Sequence, residues 1–252
     1  MDISARTALV VGGTSGIGLG LARRFAAAGS TVVVAGRDTG KVADLVGAGT
    51  LEAVQVDVTD AGSVLRARDE VLAGHPDLDV VVTMSGVMLF EDLRDPAHFE
   101  AARTTVEVNL LGTIRVLDAF TPHLIARGGG DLVTVTSGIA FLPFPLMPTY
   151  GASKAGVHAY TEAVRAQLAG TGVAVTELVP PAVATAGQEE VNPAALPLEG
   201  FLDEVVGLLT ADPTPHEVVV RAAQRLRHAE RDGTYADLLQ QRSAALSTLP
   251  GR

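Results

Sequence analysis

Tyr150 and Lys154 stand four residues apart, so on a helix they share one face. An ammonium beside a phenol favours the tyrosinate and lets the phenol act as acid or base closer to neutral pH. Ser137 follows a β-branched run and offers a hydroxyl to the same reacting oxygen. A lone Tyr-x-x-x-Lys is an ordinary pair on a helix surface, so its meaning rests on the rest of the chain. Near the N-terminus, Gly12-Gly13-Thr14-Ser15-Gly16-Ile17-Gly18 separates a β-branched run from a helical pattern. Glycines there let the backbone approach a pyrophosphate, whose charge a helix N-terminus favours. Thr14 and Ser15 add hydroxyl donors. A tight strand–helix turn with positive φ would also ask for glycine, but the strand–turn–helix context favours dinucleotide binding. The second strand ends at Ala35-Gly36-Arg37-Asp38. An acid at a strand end binds a ribose 2′-hydroxyl, whereas an arginine accommodates a 2′-phosphate. Gly36 is neutral and Arg37 follows it, which favours NADP(H) over NAD(H). Asp38 would weaken that preference if it paired with Arg37.

These residues need a scaffold. Runs at 7–11, 31–35, 52–56, 79–83, 131–136 and 173–179 are rich in β-branched residues and bounded by Gly, Asp or Pro, as strands are. Most are almost continuously apolar, which suits strands covered on both faces. Helical patterns at 16–28, 40–46, 61–73, 96–127 and 149–169 alternate with them. That alternation predicts an α/β fold with a doubly wound parallel sheet. Residues 180–200 form a Pro- and Ala-rich stretch, long for a connection and expected as a lid. Helical patterns at 201–210, 216–230 and 234–247 follow, so the tail is expected to be helical, with no seventh strand closing the sheet. One domain over 1–252 is expected, with a core at 5–185 and a lid and tail at 186–252.

Composition excludes much else. The chain of 252 residues has a net charge of −10 and no Lys/Arg run, which disfavours nucleic acid as a partner. With no cysteine, disulfides, thiolate catalysis and cysteine-ligated zinc are ruled out, and a cytoplasmic location is expected. The uncharged stretch 132–153 contains Pro143, Pro145 and Pro148, so no membrane-spanning helix is expected there. His75, His98, His123, His158, His216 and His228 are scattered, and no metal site is expected. His158 reads as a packing or subunit-contact residue. Phe141, Leu142, Phe144, Leu146 and Met147 precede Tyr150 and read as a pocket wall or as ordinary core.

Together, Gly12-x-x-x-Gly16-x-Gly18, Asp57, Asn109, Ser137, Tyr150 with Lys154, Pro180 through Val183, and Thr185 resemble the short-chain dehydrogenase/reductase family across 5–185. The resemblance implies a Rossmann-type fold with Tyr150 as general acid/base. It implies that Lys154 binds the nicotinamide ribose and lowers the tyrosine pKa, that Ser137 positions the substrate carbonyl, and that Asn109 holds a water in a proton relay. Asp57 and Val58 would line the adenine site, and Thr185 would bind the carboxamide. Ile17, Ser85, Gly86, Pro180 and Val183 complete the expected cofactor contacts. The chain departs from the family at Thr83-Met84-Ser85-Gly86, where two amide side chains are lost, and at Pro180-Pro181. Ser137-Gly138-Ile139-Ala140-Phe141, Thr121-Pro122-His123-Leu124 and Val157-His158 are similar to a divergent branch, the DltE-type oxidoreductases. The activity implied is NADP(H)-dependent interconversion of a small-molecule carbonyl and an alcohol in apolar surroundings. A dinucleotide-binding sensor or scaffold without turnover is the alternative, and a lyase or epimerase is a third option. A homodimer is expected, because the family pairs the long helices that correspond to 96–127 and 149–169.

Overall fold

The computed structural model describes residues 1–185 and 195–249. Strand β1 (Thr7–Val11) is buried at every position, as a strand between two helical layers must be. It pairs in parallel with β2 (Thr31–Gly36) on one side and β4 (Val80–Thr83) on the other. The strands β3 (Glu52–Gln55), β5 (Gly130–Val135) and β6 (Val173–Val179) extend the sheet outward. Chain order therefore reverses between β1 and β4. In open parallel sheets that switch point opens a crevice beyond the C-terminal strand ends.

Alternate side chains of each strand feed two cores. Ala8 and Val10 pack with Leu21 and Phe25 of helix α1 (Gly16–Ala27) and with Phe201 and Leu202 of a later helix. Leu9 and Val11 face the opposite layer, with Val64 and Val71 of α3 (Ala61–Gly74) and Leu117 and Phe120 of α5 (Gly112–Ala126). The short α2 (Ala43–Gly47) crosses between β2 and β3. The single helix expected at 96–127 is three segments: α4 (His98–Val106), a π-helical turn at Glu107–Leu111, and α5. Helix α6 (Pro148–Gln167) starts with proline, which suits a first turn whose N–H groups have no partners inside the helix.

The C-terminal region differs from expectation. A seventh strand is present. After α7 (Leu198–Ala211), the segment Glu217–Val219 pairs in parallel with β6 through Glu177↔Glu217, Leu178↔Val218 and Val179↔Val219. Its three residues are too few to show alternation, and in sequence they merge with the α8 pattern (Arg221–Arg227). Helix α9 (Tyr235–Ser243) and a 3₁₀ turn end the described chain. In the expected lid, Val183–Ala184 (β7) pairs with Leu196–Pro197 (β8), and residues 186–194 lie outside the described residues. We label Glu217–Val219 β9, in chain order. Among the described residues, no helix is long and apolar enough to cross a membrane.

Candidate active site

The glycine-rich turn leaves β1 and enters α1 at the switch point. Gly12 has a φ of 89°, and a Cβ there would lie 2.5 Å from the Ser85 amide nitrogen, so any other residue would push the loop after β4 away. A Cβ on Gly18 would lie 2.2 Å from the Gly12 carbonyl oxygen. Ser15 precedes α1 in extended conformation without a side-chain capping bond, and the first turn carries no acid. The opening amides of α1 therefore carry partial positive charge that no capping side chain or first-turn acid offsets. A Cβ on Gly16 would lie 3.3 Å from Thr185 Cγ2, so Thr185 stands beside the turn. Val183 is buried, and Pro180 accepts the Gly138 N–H at 2.9 Å.

At the end of β2, Gly36 leaves room for Thr14, whose hydroxyl would be 2.8 Å from any Cβ at that position. An acidic side chain at 36 would have to displace Thr14, and the sequence has none there. Asp38 turns toward its own loop: it accepts the Gly40 N–H at 3.1 Å and lies 4.0 Å from Lys41. The Arg37–Asp38 pairing that would blunt a phosphate contact is not formed. Asp57 is held below the usual carboxylate range by the Thr59 amide, then by the Thr59 hydroxyl, with a smaller pull from Arg37. Val58 is buried against the start of α5, where a Cβ on Gly112 would meet it at 2.7 Å. Thr83, in place of an amide residue, donates its hydroxyl to the Val133 carbonyl at 3.3 Å and so still braces β4 on β5.

Across the crevice, Gly86, Asn109 and Lys154 converge. A Cβ on Gly86 would sit 3.4 Å from Asn109 Oδ1 and 3.7 Å from Lys154 Nζ. Asn109 lies in the π-helical turn, a distortion found often at functional sites. Its amide clasps Val87 at both ends: Oδ1 accepts the Val87 N–H at 2.8 Å and Nδ2 donates to the Val87 carbonyl at 2.9 Å. Nδ2 also donates to Ser153 Oγ at 3.1 Å, and Ser153 donates to the Tyr150 carbonyl at 2.8 Å. The Asn109 carbonyl accepts the Thr113 hydroxyl at 2.8 Å.

The Ser137 hydroxyl acts on the Tyr150 phenol, and its Oγ accepts the Ile139 N–H at 3.3 Å. Burial raises the phenol pKa above the ordinary tyrosine value, and the Ser137 hydroxyl opposes that rise. Lys154 is buried and donates to the Val135 carbonyl at 2.8 Å; its Nζ lies 5.9 Å from the Tyr150 ring centre. Burial lowers its pKa to about 8.

The apolar stretch before Tyr150 divides. Leu142, Leu146 and Met147 are core, while Phe141 packs on Arg227 and His158 and Phe144 lies under Arg242. One residue escaped sequence reasoning altogether. Glu91, 3% exposed, accepts the Thr149 N–H at 2.9 Å and the Thr149 hydroxyl at 2.8 Å, which caps α6 just before Tyr150. Its partner is 58 residues away, so no local pattern signals it.

A doubly wound parallel sheet with a glycine-rich turn at its switch point and a Ser–Tyr–Lys group facing it defines the Rossmann-type oxidoreductases. Residues 6–195 match the short chain dehydrogenase family, and the chain belongs to that family. Among its relatives, an uncharacterized oxidoreductase DltE of Bacillus subtilis is 32% identical over 73% of this chain and 74% of its own. An uncharacterized oxidoreductase of Staphylococcus epidermidis is 30% identical over 87% of this chain and 98% of its own. A short chain dehydrogenase of Burkholderia cenocepacia, solved in complex with NADP, superposes with a TM-score of 0.83 at 27% identity, covering 95% of this chain and 99% of that one.

Proposed function

We propose that this protein is an NADP(H)-dependent oxidoreductase of the cytoplasm that interconverts a small carbonyl compound and a primary or secondary alcohol. The observation that carries the reading is that Lys154 lies by the Tyr150 ring and by Gly86, on the loop whose Ser85 meets the glycine-rich turn before α1. The residues suit the cofactor. The α1 amides and the Gly12–Gly18 turn would hold its diphosphate, Arg37 its 2′-phosphate, and Asp57 with Val58 its adenine. Ile17, Ser85, Gly86, Pro180, Val183 and Thr185 would line its nicotinamide half. When bound, the nicotinamide supplies or accepts the hydride. In the reducing direction Tyr150 gives its phenolic proton to the substrate oxygen, and Ser137 steadies that oxygen with a second hydrogen bond. Lys154 keeps one N–H on Val135 and has further donors for a ribose hydroxyl and for the tyrosinate that forms. Asn109 fixes the Val87 backbone beside them and would hold a water for proton return.

Apolar surroundings for the substrate are supported by the loop after β4. Met88 and Phe90 are exposed there, next to the Glu91 that is tied to Thr149. NADPH oxidation against a panel of aldehydes and ketones tests the reading, with cofactor titration by calorimetry alongside. Cofactor binding without turnover on any compound would favour the sensor alternative, and no binding would overturn both. The outer faces of α5 and α6 form an apolar groove of about 590 Å³, lined by residues including Leu117, Ile125, Tyr160 and Val164. A second copy is its proposed occupant, giving the homodimer that sedimentation velocity would detect.

A further inference from the structure

Helix α6 is fastened to the end of β5 twice, one turn apart. The first fastening is direct, from Lys154 to the Val135 carbonyl at 2.8 Å. The second runs through a carboxylate that sequence reasoning left unused. Glu177 on β6 is fully buried; its Oε2 lies 2.8 Å from His158 Nδ1, and its Oε1 accepts the Thr136 hydroxyl at 2.6 Å. Thr136 precedes Ser137, and His158 follows Lys154 by one helical turn. The Glu177 bridge therefore joins the two segments that carry the reacting hydroxyl and phenol.

The surroundings make this a charged device. Three charged groups act on His158: Glu177 on β6, Glu162 on α6 at 3.8 Å from Nε2, and Arg227 on α8. Glu217 on β9 pairs with Arg227 at 2.8 Å, and Phe141 packs edge-on to the imidazole with ring centres 4.7 Å apart. Ligand atoms of His158, Glu177 and Glu217 come within 4.8 Å of one another, but the Arg227 guanidinium already supplies the cation there. The Glu177 hydrogen bond raises the His158 pKa above its ordinary value, against the opposing effect of burial.

We propose that His158 and Glu177 are positioning residues for the Ser137–Tyr150–Lys154 centre, holding the catalytic helix against the end of β5 through a charge-dependent bridge to Thr136. The inference rests on the reading of that centre as the site of carbonyl reduction. The bridge leaves Lys154 able to turn its remaining donors toward a ribose while α6 keeps its place. Because the folded His158 pKa is raised, the imidazolium's contribution is complete below the ordinary histidine value and is lost as pH rises through the folded value.

Three variants test this with the full chain: Glu177→Gln, Thr136→Val and the double variant. Glu177→Gln keeps the shape but removes the charge. It is expected to lower kcat for NADPH-dependent reduction about tenfold at pH 7, since small misplacements of reacting groups cost this much or more. Its Kd for NADPH should stay within about twofold, and the part of the kcat–pH profile that follows His158 should move to lower pH. Thr136→Val should lower kcat without moving that pH dependence. The double variant should be no worse than the slower single, because both cut one chain. A readout independent of turnover is the ultraviolet titration of the Tyr150 phenol, with Tyr150→Phe as blank. Loss of the Ser137 influence on the phenol should raise the phenol pKa in both single variants. If the variants lose thermal stability while kcat, its pH profile and the phenol titration match wild type, the pair is only structural and the inference fails. Should Glu177→Gln not fold, Thr136→Val decides on the same readouts. If wild type reduces no carbonyl, the proposed function fails, and the phenol titration still decides this inference.

Discussion

At the edge where the parallel strands begin, Arg6 lies between two carboxylates, with Asp79 and Asp131 each 2.6 Å away. Asp79 also accepts the Thr7 N–H at 3.0 Å. At the edge where the same strands end, Lys154 is buried on a backbone carbonyl with no carboxylate beside it among the described residues, and α1 begins without a side-chain cap. One edge closes its charges within the chain and the other leaves them for something else to satisfy. Unpaired buried charge costs stability, so its presence at one edge only marks where a ligand is expected to supply the missing partners.

The largest effect expected lies at the open edge. Tyr150→Phe should reduce turnover by about a thousandfold, because a positioned proton donor contributes on that order. Cofactor affinity and thermal stability should hold, and retention of most of the rate would remove Tyr150 from its role. Arg6→Met, at the closed edge, would leave Asp79 and Asp131 facing each other. It should destabilise the fold by about 3 kcal/mol in urea unfolding, with turnover per folded molecule unchanged. Lys154→Met should act oppositely on stability. A lysine displaced from 10.5 to about 8 stores a cost of about 3 kcal/mol in its charged form. Between those pH values the unfolded chain binds more protons than the folded one, so wild-type stability should rise with pH. The advantage of Lys154→Met should be greatest below pH 8 and shrink above it. If Lys154→Met destabilised the protein as much as Arg6→Met, the contrast between the edges would be lost. Arg37→Ala should have the smallest effect, weakening NADP(H) about tenfold by calorimetry while sparing NAD(H), and so narrowing the preference between them.

The sequence by itself determined the first six strands of the large sheet, the helices between them apart from the π-helical break at Glu107–Leu111, the glycine-rich turn and the Tyr150–Lys154 spacing. Each is written in residues within a few turns of one another, where period and steric demand act locally. Even the strand bounds at Thr7–Val11 and Val173–Val179 follow from the pattern alone. Only the tertiary structure decided the seventh strand, because three residues at a sheet edge gain their conformation from β6 rather than from their own sequence. It also decided that burial raises the Tyr150 pKa, that Asp38 turns from Arg37, and that Glu91 caps α6. The same holds for Glu177, which in sequence is an acid inside an apolar strand. Its partners Thr136 and His158 come from other elements, and a carboxylate is tolerated there only because the fold brings both of them to it.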